Sequence, residues 1–268
     1  MENNTFKIVT LGCKVNSYES QGIEEYLLKN GFKESKDPEY IIVNTCAVTK
    51  TAEKKCLTKV RSLSEHFNAT KICVVGCSSS IRPEEFLNIP GVNVVSGNNG
   101  KLFAVKELLN GKTGLILSKK NTRNEKFEED IKISNFGKEC RAFVKIQDGC
   151  DNFCSYCIIP RTRGNSRSRS HEEIIEEVKR LYKSDYRELV ITGIDMGSYE
   201  DPNDDEYKLD DLIEDIIINT PDGYRIRISS LETSQMTQKL LDLFINHSDK
   251  LVSHVHIPLQ SGSSEIVK

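Results

Sequence analysis

The chain has 268 residues with a net charge of −3, 37% hydrophobic and 29% charged, enough length for two domains. The acidic balance argues against a globally basic nucleic-acid binder, and the Met1-Glu2-Asn3-Asn4 start has no basic n-region followed by an apolar stretch, so no signal peptide is expected. Nine unevenly spaced Cys do not make a secreted disulfide scaffold, and no apolar run approaches membrane-spanning length, so reduced thiols in a cytoplasmic, non-membrane protein are expected.

Up to about residue 115 the pattern alternates strand and helix. Residues 7–11, 40–44, 71–75 and 92–95 are short Val/Ile-rich runs flanked by Gly, Asn or Ser. Helical patterns separate them at 18–29, closed by Gly31, at 51–67, and at 103–109, closed by Gly111. Such a βαβ series predicts an open parallel sheet covered by helices, an α/β fold. Cys13, Cys46 and Cys77 each follow one of the first three strands. Because ligands bind at the carboxyl ends of strands in an open parallel sheet, these thiols are expected to meet there as a metal site. Cys56, Cys73 and Cys140 do not share that placement and are read as core or surface residues.

Residues 116–140 are rich in charge, with little apolar periodicity, and read as a linker or strand pair. From 141 the βα alternation resumes, with strands predicted at 143–147, 188–192, 225–229 and 254–259 and helices near 171–182, 209–219 and 237–246. These strands carry one polar face: Lys145 and Gln147, Arg225, Arg227 and Ser229, His254, His256 and Gln260. Alternation lets helices cover the apolar set while the polar set faces inward, toward a charged ligand. Arg161, Arg163, Arg167 and Arg169 fall within nine residues and are candidates for phosphate contact, so any RNA contact is expected to be local.

Cys150, Cys154 and Cys157 sit in Asp148-Gly149-Cys150-Asp151-Asn152-Phe153-Cys154-Ser155-Tyr156-Cys157, a C-x3-C-x2-C run just after a strand. Three thiolates on one short loop can hold three irons of a cubane and leave the fourth open to a ligand. Zinc needs a fourth closed ligand, and the nearest His, His171, lies fourteen residues past Cys157. The spacing resembles that of the radical S-adenosylmethionine enzymes, whose open iron chelates the cofactor.

Further motifs extend the resemblance over nearly the whole chain. They are Leu11-Gly12-Cys13-Lys14-Val15-Asn16, Asn44-Thr45-Cys46, Gly76-Cys77, Ile158-Ile159-Pro160-Arg161, Arg163-Gly164, Arg167-Ser168-Arg169, Thr192-Gly193-Ile194-Asp195, Arg227-Ile228-Ser229-Ser230-Leu231-Glu232 and His256-Ile257-Pro258-Leu259-Gln260-Ser261-Gly262. Together they resemble the methylthiotransferases.

That resemblance implies a domain at 1–115 whose Cys13, Cys46 and Cys77 carry an auxiliary [4Fe-4S] cluster, a linker at 116–140, and a radical domain at 141–268, an incomplete (β/α) barrel whose Cys150, Cys154 and Cys157 carry the catalytic cluster. S-adenosylmethionine would serve as methyl donor and radical source. Thr192, Gly193 and Asp195 would face its methionyl part, and Ser229, Ser230, Glu232 and Gln260 its adenosyl part. The N-terminal motif looks like the branch that inserts a methylthio group at C2 of N6-threonylcarbamoyladenosine beside the tRNA anticodon. Implied partners are that tRNA and an electron donor such as flavodoxin or ferredoxin. Two readings stand beside it: modification of a ribosomal protein, and a non-catalytic iron-sulfur or RNA-binding fragment. The resemblance also implies two further βα units and a β-rich RNA-binding domain past Lys268, so residues 1–268 alone are expected to be inactive.

Overall fold

A computed structural model describes residues 4–67, 70–116, 131–135, 137 and 140–267. The chain divides into two compact units, one of residues 1–135 with 149–165, the other of 136–148 with 166–268. Most of the charged segment 116–140 lies outside the described residues.

The first unit is built on six parallel strands. In chain order its elements are β1 (Thr5–Thr10), α1 (Lys14–Lys29), β2 (Lys33–Glu34), β3 (Tyr40–Thr45), α2 (Lys50–His66), β4 (Lys71–Gly76), α3 (Cys77–Ile81), α4 (Pro83–Leu87), β5 (Val92–Ser96), α5 (Lys101–Leu109), β6 (Gly114–Ile116) and α6 (Ile159–Arg163). The strand order is β2-β1-β3-β4-β5-β6. Every residue of β3 is buried, and β4 is buried from Ile72 onward. Central parallel strands are covered on both faces and so read as continuous Val/Ile runs. Ile41, Val43, Ile72 and Val74 pack with Val60, Leu63 and Phe86 in the core, each such side chain contributing roughly 1.5–3 kcal/mol by leaving water.

The strands expected at 7–11, 40–44, 71–75 and 92–95 are present with ends shifted by a residue or two. Helix α1 starts four residues before the predicted 18, because Cys13 takes an extended N-cap conformation and Val15 and Tyr18 already face the core. Helix α2 is capped by the Thr49 hydroxyl, which accepts from the Ala52 N–H. The short elements β2, α3, α4 and β6 were not legible, being too brief to show a period. Residues 131–135 dock onto α1: Ile131 and Ile133 are buried, and Glu25 accepts the N–H groups of Ser134 and Asn135 at 2.7 and 2.8 Å.

The second unit contains β7 (Arg141–Lys145), β8 (Gln147–Asp148), β9 (Arg167–Ser168), α7 (His171–Lys183), β10 (Glu188–Thr192), β11 (Glu200–Asp201), β12 (Asp204–Lys208), α8 (Leu209–Ile218), β13 (Arg225–Ile228), α9 (Gln238–Asn246) and α10 (Ser264–Val267). Its main sheet is parallel, in the order β13-β10-β7. Helix α7 buries Ile174, Val178 and Leu181 at helical spacing and is capped by Ser170.

The strand expected at 254–259 does not form as a ladder. Among the described residues that stretch meets the continuation of β13 at one isolated bridge, Ser230 to His256, and a second bridge, Ile226 to Leu251, lies before it. A tight turn, in which the His254 N–H donates to the Val252 carbonyl at 2.6 Å, breaks the run, and Pro258 has no N–H to give a neighbour. The inward polar face is correspondingly partial. Lys145, Gln147 and Ser229 are buried, whereas Arg225, His254, His256 and Gln260 are exposed.

Candidate functional site

Strands β1, β3 and β4 are neighbours in register, with Thr10 opposite Asn44 and Thr45 opposite Gly76. Their carboxyl ends therefore lie together, and the loops leaving them carry Cys13, Cys46 and Cys77. Cys13 is exposed at the N-cap of α1, Cys46 is buried directly after β3, and Cys77 is buried as the first residue of α3. A Cβ added at Gly12, which has φ +123°, would stand 2.8 Å from Cys46 Cβ and 3.2 Å from its Sγ, so the Cys13 loop closes against Cys46 only because this position is glycine. Burial pushes the Cys46 thiol up; a backbone N–H at Val48 opposes this, the charges of Cys77 and Cys13 add to it, and Arg163 draws it down. The structure thus brings these three thiols into one electrostatic neighbourhood.

Polar groups hold the cysteines in place. Asn16 donates to the carbonyls of Leu11 at 2.8 Å and Thr45 at 3.0 Å, clamping the first two cysteine loops together. Asn98 donates to Cys77 Sγ at 3.2 Å and to the Thr162 carbonyl at 2.8 Å. The second contact requires Nδ2 on that side and so fixes the amide orientation. Its buried Oδ1 has no partner among the described residues. Cys56, read as a core residue, supports Cys46 by accepting its N–H at 3.3 Å. Cys73 is fully buried, and desolvation raises its thiol far above the usual range.

The loop bearing Cys150, Cys154 and Cys157 belongs to this same unit. Gly149, at φ +73°, precedes it, and a Cβ there would meet the Asn165 carbonyl oxygen at 1.9 Å. Only glycine permits that crossing of the two ends of the loop. The Cys150 N–H donates to the Gly164 carbonyl at 3.1 Å, the Asn152 N–H to Cys150 Sγ at 3.4 Å, and the Cys157 N–H to the Cys154 carbonyl at 2.9 Å. Phe153 takes the left-handed conformation, at φ +47°, and lies exposed with Tyr156. A pocket of about 320 Å³ is lined by Phe153, Cys154, Tyr156, Cys157, Ile158 and Arg161.

Among the described residues no three Cys, His, Asp or Glu side chains are drawn together tightly enough to hold a single metal ion. Thiols that ligate the corners of a cubane stand farther apart than the ligands of one ion. The donor chemistry suits such a cluster: each set is three sulfurs, and Asn98 and Asn152 direct N–H groups at sulfur.

The arginines divide differently from the expectation. Arg163 and Arg169 are buried in carboxylate pairs, with Glu19 and Glu177 respectively, and cannot meet a phosphate. Arg167 pairs with Asp148 at 3.1 Å, and Arg161 is exposed.

In the second unit Thr192 is buried at the carboxyl end of β10, and Gln147 organises the turn after it. Its Oε1 accepts the N–H groups of Ile194 at 3.1 Å and Asp195 at 2.8 Å. Gly193 abuts this carboxamide, since a Cβ there would come 3.2 Å from Oε1. Gln235 ties the turn to the segment after β13, donating to Asp195 Oδ1 at 2.6 Å and accepting the Glu232 N–H at 2.9 Å. Ser229 is buried, with its N–H on the Ile191 carbonyl, while Ser230 meets His256 Nδ1 at 2.7 Å. Gln260 lies exposed beyond Pro258. Gly193, Asp195 and Glu232 are thus linked through Gln147, which the sequence placed on the polar strand face, and Gln235, which it did not single out.

Two α/β units and three thiols on one short loop are the features of the radical S-adenosylmethionine class. Residues 144–268 match the Radical SAM superfamily, and residues 5–97 match the family described as uncharacterized protein family UPF0004. The two matches together are similar to the methylthiotransferases among the radical S-adenosylmethionine enzymes. The Radical SAM match implies S-adenosylmethionine and a [4Fe-4S] cluster. The threonylcarbamoyladenosine tRNA methylthiotransferase MtaB of Bacillus subtilis (strain 168) is 37% identical over 265 residues, covering 97% of this chain and 58% of that protein. Its namesake in Thermotoga maritima is 36% identical, covering 98% and 60%. The tRNA-2-methylthio-N(6)-dimethylallyladenosine synthase of Thermodesulfovibrio yellowstonii is 31% identical, covering 100% and 62%. The chain therefore spans about 60% of the length of these curated relatives. Among solved structures, the radical S-adenosylmethionine methyltransferase TsrM from Kitasatospora setae superposes with a TM-score of 0.65 at 12% identity, over 98% of this chain and 60% of that one. The cobalamin-dependent S-adenosylmethionine radical enzyme OxsB superposes at 0.64 with 15% identity, over 99% and 45%. Both are likenesses of fold.

Proposed function

We propose that the protein inserts a methylthio group at C2 of N6-threonylcarbamoyladenosine in tRNA. The observation that carries this reading is the gathering of Cys13, Cys46 and Cys77 at the ends of three adjacent strands, in the same compact unit as the C-x3-C-x2-C loop. Two three-thiol sets suit a reaction that needs both a radical and a sulfur atom. The names of curated relatives at 36–37% identity support the nucleoside. When bound, the two clusters and S-adenosylmethionine supply the hydrogen-abstracting radical, the sulfur and the methyl group.

The protein's own part is binding and orientation. Cys150, Cys154 and Cys157 would hold one cluster and Cys13, Cys46 and Cys77 the other. Thr192, Gly193 and Asp195 would bind the methionyl end of the cofactor, with Gln147 fixing the direction of their backbone. Ser229, Ser230, Glu232 and Gln260 would serve the adenosyl end. A tRNA, a flavodoxin or ferredoxin donor and a cytoplasmic location belong to the same reading; among the described residues no helix is long and apolar enough to cross a membrane.

The test is mass spectrometry of tRNA nucleosides from a strain lacking the gene, with and without complementation. The 2-methylthio form of threonylcarbamoyladenosine should vanish on deletion and return on complementation. Loss of methylthiolation on dimethylallyladenosine or on a ribosomal protein instead would overturn the substrate assignment.

A further inference from the structure

Strand β5 runs beside β4 and ends level with the turn of Cys77. The two turns are joined by backbone and serine. The Gly76 N–H donates to the Gly97 carbonyl at 3.4 Å, and the Asn98 N–H to Ser80 Oγ at 3.1 Å, while the Ser80 hydroxyl donates to the Gly76 carbonyl at 2.8 Å. Asn98, only 4% exposed, is thereby held with its side chain against the third cysteine of the set. Its Nδ2 donates to Cys77 Sγ at 3.2 Å and to the Thr162 carbonyl at 2.8 Å. Both hydrogens of the planar NH2 group are then committed, and the carbonyl contact sets the direction of the one that points at sulfur. Thr162 lies in α6, the helix that opens two residues after Cys157. One amide therefore ties the Cys77 sulfur to the backbone that leaves the other cysteine loop.

An N–H group attracts a sulfur more strongly the more negative charge that sulfur carries. Cys77 and Asn98 are both buried, so bulk water does not weaken the contact. As a cluster ligand, Cys77 would gain electron density when the cluster takes an electron, and the Asn98 N–H would favour that reduced form. Hydrogen bonds to the sulfurs are among the factors that set the potential of an iron-sulfur cluster.

We propose that Asn98 is a positioning residue for the N-terminal cluster: its N–H···S hydrogen bond holds the Cys77 thiolate in place and raises the reduction potential. The inference rests on the reading of Cys13, Cys46 and Cys77 as cluster ligands, and the experiment separates the two. The whole chain with Cys150, Cys154 and Cys157 changed to Ala is reconstituted with iron and sulfide without oxygen, so that one cluster alone is read. Iron analysis comes first: about four irons per chain supports the cluster itself, and none overturns it and the inference with it. Asn98→Leu and Asn98→Ala on the same background are then compared with their parent. The midpoint potential is followed by electron paramagnetic resonance, and the iron–thiolate stretching bands by resonance Raman spectroscopy in H2O and D2O.

Asn98→Leu keeps the bulk of the side chain and removes the donor. The potential should fall by roughly tenfold in the ratio of reduced to oxidised cluster, about 59 mV for one electron. An iron–thiolate band should also move to higher frequency and lose part of its shift in D2O, because a sulfur relieved of a hydrogen bond binds iron more tightly. Asn98→Ala should do the same, and it carries the test if Asn98→Leu takes up no iron. A fully loaded variant with the potential of its parent would overturn the proposal. So would a lower potential with the bands and D2O shift of the parent, which would assign the effect to packing. Failure of both variants to take up iron would make Asn98 a residue of the fold alone and overturn it as well.

Discussion

Arg169 offers the sharpest test of how the arginine-rich segment works. Its guanidinium meets Glu177 side on, with Nη1 to Oε1 at 3.3 Å and Nη2 to Oε2 at 3.2 Å, while Nη1 also donates to the Lys145 carbonyl at 2.8 Å. Both side chains are buried. Arg169→Met leaves a buried carboxylate without its main partner, and breaking a buried pair in this way costs about 3–5 kcal/mol. Arg180, half exposed at 3.8 Å from the same carboxylate, offsets part of that charge and places the expected loss near the lower end, about 3 kcal/mol. Such a loss is a large share of the stability of an ordinary domain, about 5–15 kcal/mol. The double variant Arg169→Met with Glu177→Leu removes both charges and should recover at least ~2 kcal/mol of it, since replacing a whole buried pair by apolar side chains is often neutral. Urea unfolding followed by circular dichroism reads this as a shift in midpoint at constant slope. A single variant losing under ~1 kcal/mol, or a double variant no more stable than the single, would refute the buried-pair reasoning. A variant that kept its stability and lost RNA affinity would instead restore Arg169 as a phosphate contact.

Three further outcomes follow from the same coordinates. Gly149→Ala places a methyl group against the Asn165 carbonyl at a positive φ, so the loop of Cys150, Cys154 and Cys157 should open and reconstituted iron should drop by roughly half, as read by iron analysis. Asp201 is buried, which by itself would raise its carboxyl, but the N–H groups of His171 and Asn203 and the His171 ring hold it below the usual range. Its contribution is present above the unfolded value of about 4 and is lost as pH falls through the lower folded value, so Asp201→Asn should cost about 2 kcal/mol at neutral pH and progressively less in acid, measured as unfolding free energy against pH. In the metal-free protein, alkylation mapped by mass spectrometry should reach the exposed Cys13, Cys140 and Cys154 first and spare Cys73, whose thiol is fully buried and hard to ionise; early labelling of Cys73 would show that the sheet opens there.

Much of the first unit could be read from local pattern. Strands β3 and β4 announce themselves because central parallel strands covered on both faces read as Val/Ile runs, β1 and β5 show shorter apolar runs, and the position of Cys13, Cys46 and Cys77 after β1, β3 and β4 follows from counting. The C-x3-C-x2-C loop is equally local, since its chemistry depends on spacing within eight residues. What the tertiary structure decided concerns partners that lie far apart along the chain. Arg163 and Arg169 look alike in sequence, two basic residues in a polar stretch, yet one is neutralised by Glu19, 144 residues earlier, and the other by Glu177 on the next helix. No periodicity records such a pairing, because burial of a charge depends on where the whole fold places its counter-charge. The failure of 254–259 to pair as a strand has the same origin: alternation was present in the residues, but ladder hydrogen bonds need a continuous run of N–H groups facing a neighbour, and a tight turn at His254 and the missing N–H of Pro258 interrupt it. Local sequence determined the strands and the thiols, and only the folded chain decided which charges are buried beside them.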